Sequence, residues 1–138
     1  MFKRILVAID GSPVVEREIL YAEHLARVEQ AELIVLHAYA PPQQYASYPG
    51  YDKLLEHYRV IAHTVVDEAV NELREDGVSA SSEVRAGPAA EAIIAAAADH
   101  NVDLIVMGTR GSSDLRDMLG SVSAQVLRSA HCPVLQIP

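Results

Sequence analysis

Three short stretches carry residues suited to holding a phosphorylated ligand, two of them directly after apolar runs and the third at the start of a helical segment. The first is Asp10-Gly11-Ser12. Its carboxylate is placed to accept hydrogen bonds from ribose hydroxyls, while Ser12 is equally suited to capping a helix that Pro13 begins. The second is Gly108-Thr109-Arg110-Gly111, two glycines at a spacing that lets a backbone turn with positive φ and offer its N–H groups to an anion. Turns also use glycine for purely geometric reasons, so the position at a strand end is what gives this pair weight. The third is Gly120-Ser121-Val122-Ser123, where a helix start would combine unpaired N–H groups, the positive end of the helix dipole and two hydroxyls. An ordinary helix N-terminus has the same appearance.

The elements that must position these stretches alternate along the chain. Ile5-Leu6-Val7-Ala8-Ile9, Leu33-Ile34-Val35-Leu36, Leu104-Ile105-Val106-Met107 and Val134-Leu135-Gln136-Ile137 are short and rich in branched residues, the pattern of parallel strands covered on both faces. Helical spacing fills the intervals. Val15, Ile19, Ala22, Leu25 and Ala26 predict a helix over 13–29. Leu54, Leu55, Tyr58, Ile61, Ala62, Val65, Val66, Ala69, Val70 and Leu73 predict another over 51–76, stopping at Gly77. Residues 78–86 form a weaker strand near a sheet edge, Gly87-Pro88 opens a helix through Ala90, Ile93, Ile94 and Ala97, and a last helix spans 121–129. This order predicts one doubly wound α/β domain over 1–138 with right-handed crossovers. In such sheets ligands lie beyond the carboxyl ends of the strands, where the strand order reverses.

Composition removes several alternatives. The chain has 138 residues, half of them apolar, which is the size of one domain. No apolar run is long enough to cross a bilayer and the first residues lack a leader pattern, so the chain is expected to be soluble and cytoplasmic. With 19 acidic and 11 basic residues its formal charge is −8, a balance that disfavours nucleic acid and anionic membranes as partners. Cys132 is the single cysteine, which rules out an internal disulfide and a cysteine-ligated zinc. It should be a buried structural thiol. The six histidines are scattered, and His37 and His131 read as buried, hydrogen-bonded residues rather than metal ligands. Asp10, Asp114 and Asp117 supply carboxylates, but nothing marks a nucleophile beside a base. No catalytic residue is assigned, and slow phosphoryl hydrolysis is the one enzymatic alternative. Tyr45, Tyr48 and Tyr51, in and beside an irregular connection, either cover a ligand or pack on the neighbouring helix.

Taken together, the opening Ile5 to Ser12, the His37-containing strand, Gly87-Pro88, Asp103 to Gly111, Gly120 to Ser123 and the closing Cys132-Pro133-Val134-Leu135 resemble a universal stress protein domain over essentially the full chain. The resemblance implies a five-stranded open parallel sheet in the order 3-2-1-4-5, Rossmann-like and of the adenine nucleotide alpha hydrolase type. It also implies ATP as ligand, with Mg²⁺ held by its phosphates. The ATP-binding branch of the family carries Gly-x2-Gly-x9-Gly-Ser/Thr. Here Gly108, Gly111, Gly120 and Ser121 match, but only eight residues, Ser112 to Leu119, lie between the second and third glycines. One missing residue removes at most ~3.5 Å of reach, which a surface loop absorbs more readily than a helix.

Carried over by position, the resemblance sets Ala8, Ile9 and Asp10 along the adenosine and Ala38 beside the adenine. Met107 and Gly108 line the nucleoside, and Gly111, Gly120, Ser121, Val122 and Ser123 face the phosphates. Arg110 projects from the same loop, as a ligand contact or as a solvated charge. The resemblance further implies a homodimer in which Val134, Leu135, Gln136 and Ile137 meet their copies across a twofold axis. The expected role is a nucleotide-dependent stress-response module, in which occupancy alters the 40–52 or 109–119 loop and so changes what the dimer binds. A nucleotide-free dimeric scaffold of the same fold is the alternative.

Overall fold

A computed structural model of the chain describes residues 1–109 and 120–138. Strands β1 (Arg4–Ala8), β2 (Glu32–Tyr39), β3 (Ala80–Ala86), β4 (Leu104–Gly108) and β5 (Val134–Ile137) alternate with helices α1 (Val15–Glu29), α2 (Tyr51–Glu75), α3 (Ala89–Asp99) and α4 (Ser121–Ser129). A short 3-10 turn, Gln43–Tyr45, precedes α2. The strands form one parallel sheet in the order β3-β2-β1-β4-β5, as the resemblance implied. Central β1 pairs with β2 through Val7 and Val35 and with β4 through Val7 and Val106.

Both faces of the sheet are covered, which is why its inner strands β1, β2 and β4 carry unbroken apolar runs. On one face Ile5, Val7, Val35 and Val106 pack against Ala22 and Ala26 of α1 and Val66, Val70 and Leu73 of α2. On the other, Leu6, Ile34, Ile105 and Met107 meet Ala90, Ile93 and Ala96 of α3 and Val126 of α4. The chain runs β1-β2-β3 outward on one side and then crosses to β4, so the order reverses between β1 and β4. Adjacent connections leave in opposite directions there, and a crevice opens at the carboxyl end of the sheet.

Helix ends and buried stripes follow the sequence pattern with two exceptions. Gly77 (φ 85°) ends α2 in the left-handed region, its N–H donating to the Arg74 carbonyl, and Gly87 (φ 118°) makes the turn into α3. The first exception is α1. It starts at Val15, not at residue 13, and its cap position, Val14, contributes no side-chain bond. Ser12 does not cap it, because Pro13 and Val14 are used in a turn and the Ser12 N–H is drawn back to Asp10 Oδ1 at 2.8 Å. The second is Ile61, expected on the buried stripe of α2 but 49% exposed. The stripe advances through Ala62, Val66, Val70 and Leu73, which leaves Ile61 one position off the sheet-facing row.

Candidate functional site

The crevice is a small cleft, about 90 Å³ in volume, that opens to solvent at the carboxyl end of the sheet. Its walls come from four directions. Ala8, Ile9 and Asp10 continue β1, Leu36 and Ala38 end β2, Met107 and Gly108 end β4, and Ala89, Ile93, Val122 and Ser123 close the side of α3 and α4. Glu18, from the first turn of α1, completes the lining. Sequence reasoning therefore brought Ala8, Ile9, Asp10, Ala38, Met107, Gly108, Val122 and Ser123 to one place. Gly120 and Ser121 adjoin it at the start of α4 without lining it. Arg110 and Gly111, with Asp114 and Asp117, lie outside the described residues.

The polar groups of the cleft have specific commitments. Asp10 accepts the Ser12 N–H at Oδ1, and a carboxylate has capacity for further donors at its second oxygen. The Ser123 hydroxyl is buried and donates to the Gly108 carbonyl at 2.7 Å, so it ties α4 to β4 instead of projecting as a free donor. The Gly120 N–H likewise donates to the Thr109 carbonyl at 2.8 Å. What α4 leaves available are the backbone N–H groups of its first turn, which no intrahelical carbonyl reaches. Gly108 closes β4 as a strand residue, and Gly111, the other glycine of the expected turn, lies outside the described residues. Strand pairing continues through Gly108 to Ile137 of β5, which holds the backbone extended.

Glu18 is the residue that sequence reasoning missed. It is 2% exposed, and its Oε2 has no hydrogen-bond partner among the described residues. Burial in apolar surroundings, with the Asp10 carboxylate nearby, pushes its carboxyl up to about 8. A signal existed in the spacing, since position 18 falls three residues after Val15 and four before Ala22, on the inward stripe of α1. Leu36, Ala89 and Ile93 complete an apolar wall.

The other chemistry-bearing residues stand elsewhere. His37 directs Nδ1 at the Ile9 carbonyl, 2.8 Å away, a structural bond behind the cleft. His131 is exposed and Cys132 half-buried, contrary to the burial expected of both, because β5 begins only at Val134 and the preceding turn runs over the surface. Burial raises the Cys132 thiol, with the Asp103 carboxylate contributing. The rings of Tyr45 and Tyr48 pack edge-on against each other at 5.5 Å, and none of the three tyrosines lines the cleft. Among the described residues no three His, Cys, Asp or Glu side chains gather around a metal position, and no helix is long and apolar enough to cross a membrane.

Known proteins share this arrangement. The model of the Universal stress protein family matches residues 1–138. A Thermus aquaticus relative, the universal stress protein in the QAH/OAS sulfhydrylase 3' region, is 39% identical over 141 residues, covering 99% of each chain. The solved structure of MJ0577 from Methanocaldococcus jannaschii is similar with a TM-score of 0.89 at 26% identity, over 99% of this chain and 96% of that one. A universal stress protein solved in complex with cAMP is similar with a TM-score of 0.76 at 25% identity, over 99% and 97% of the two chains. The match in sequence over the full chain and the match in topology agree, and the chain belongs to the universal stress protein family.

Proposed function

We propose that the cleft binds an adenine nucleotide, with ATP as the ligand and Mg²⁺ held by its phosphates, and that the protein acts as a nucleotide-dependent stress-response module. The observation that carries this reading is the convergence of an apolar slot, one carboxylate and one helix N-terminus at the point where the strand order reverses. The slot between Ala8, Leu36, Ile93 and Met107 suits a flat base. Asp10 stands where ribose hydroxyls can donate to it. The first-turn N–H groups of α4 suit phosphate, and they act locally against a chain of net charge −8. The relative solved with cAMP supports an adenine nucleotide as the ligand class.

Calorimetric titration of ATP with Mg²⁺ into wild type and Ala38→Phe tests the reading. The phenyl ring fills the end of the slot, so wild type should bind and the variant should lose at least tenfold in affinity. Absence of binding by the wild-type chain would overturn the proposal.

A homodimer through β5 is part of the same reading. Val134, Leu135 and Gln136 are half-buried on an edge strand, and among the described residues the sheet order leaves one side of β5 unpaired. No nucleophile paired with a base lines the cleft among the described residues, and the role we assign is binding, not turnover.

A further inference from the structure

Glu18 poses a problem for the nucleotide reading, and its solution assigns the residue a role. A cleft that takes an anionic ligand already contains the Asp10 carboxylate, and a second charged carboxylate beside it would repel that ligand. Glu18 nevertheless lines the cleft, 2% exposed, with Oε2 unpartnered among the described residues. A buried polar atom without a partner is costly unless something supplies one. We propose that Glu18 contacts the nucleotide as the uncharged carboxylic acid, donating its proton in a hydrogen bond to a ribose or phosphate oxygen, so that binding requires the site to hold one proton. This rests on the nucleotide reading above and deepens it.

The surroundings favour the neutral acid. From the turn after β1, the one titratable group facing Glu18 is Asp10, whose negative charge acts in the same direction as burial. Within α1, Glu16 and Arg17 are exposed, and Arg17 Nη1 donates to the Pro138 carbonyl at 2.6 Å. From β2, His37 is held on the Ile9 carbonyl. The described residues of β4 include no titratable side chain. No described cation forms an ion pair with Glu18. The carboxyl, held at about 8, is therefore mostly protonated at pH 7 and able to donate.

The test is calorimetric titration of ATP into wild type, Glu18→Gln and Glu18→Ala at pH 6.5, 7.5 and 9.0, with circular dichroism confirming the fold at each pH. Wild-type affinity should be level up to about pH 8 and then fall toward tenfold per pH unit. Glu18→Gln, whose amide donates without a proton to lose, should keep its affinity across the series. Glu18→Ala should bind about tenfold more weakly than wild type at pH 6.5, with no added pH dependence. At pH 8.5, titrations in buffers of different ionisation enthalpy should show uptake of up to about one proton by wild type and none by Glu18→Gln. Equal pH profiles and equal proton uptake in wild type and Glu18→Gln would overturn the proposal. Failure of wild type to bind ATP at pH 6.5 is a different result, which removes the nucleotide reading and this proposal with it.

Discussion

Replacing Glu18 by glutamine should change how stability depends on pH, whether or not a ligand is present. The carboxyl is held at about 8 in the folded chain against 4.5 as its ordinary value. Between these two pH values the unfolded chain releases the proton while the folded chain keeps it. A raised carboxyl therefore imposes no penalty below pH 4.5, a penalty that grows by about 1.4 kcal/mol per pH unit up to about 8, and a constant one above that. From pH 5 to pH 8 the wild-type chain should lose about 3.5 kcal/mol that the glutamine variant keeps. Against a total stability of roughly 5–15 kcal/mol for a domain, this is a large effect. Urea unfolding followed by circular dichroism at both pH values measures it. With a slope of about 1–3 kcal/mol per M, the wild-type midpoint should fall by more than ~1 M relative to the variant. Parallel midpoints for the two proteins would show that Glu18 ionises in the ordinary carboxylate range, and the reasoning from burial would be refuted.

Other outcomes follow from the same contacts. Ser123→Ala removes the buried hydroxyl bond to the Gly108 carbonyl and should cost about 1–3 kcal/mol in urea unfolding, while leaving backbone N–H groups at the start of α4. Asp10→Ala should weaken ATP binding about tenfold by calorimetry, and its effect on stability should be about 1 kcal/mol through the freed Ser12 N–H. Cys132, raised by burial, should react with a disulfide reagent more slowly than free cysteine at pH 7, the rate climbing as the pH increases; a rate equal to free cysteine would contradict the assignment. Gln136→Pro removes a backbone donor from β5 and should shift sedimentation from dimer to monomer if the pair forms through that edge.

Legibility in the sequence followed the strength of local constraint. The strand Leu104–Gly108 stood out because burial on two faces forces a continuous branched apolar run. The α2 stop before Gly77 stood out because the left-handed backbone there selects glycine. The carboxyl-end location of Asp10, Met107 and Gly108 followed from topology once the alternation was read. Glu18 was not legible by type, because an acidic residue in the first turns of a helix is ordinarily a solvated complement to the dipole. Only its place on the stripe of Val15 and Ala22 distinguishes it. The start of α1 was missed for a related reason: Asp10, Ser12 and Pro13 all favour helix initiation locally, and the Asp10 to Ser12 bond delays it by two residues. The tyrosines of the β2–α2 connection have no periodicity to read, and their mutual packing depends on loop geometry alone.

The central claim is that an adenine nucleotide occupies the cleft at the β1/β4 crossover. Backbone amide shifts in heteronuclear NMR, recorded as ATP with Mg²⁺ is added, test it most directly. The account predicts saturable shifts at Ala8, Ile9, Asp10, Ala38, Met107, Gly108, Val122 and Ser123, with Glu18 among them and the exposed face of α2 unmoved. Saturable shifts confined to another surface, such as the groove between Ala97 and Cys132, or no shifts at millimolar ATP, would contradict it.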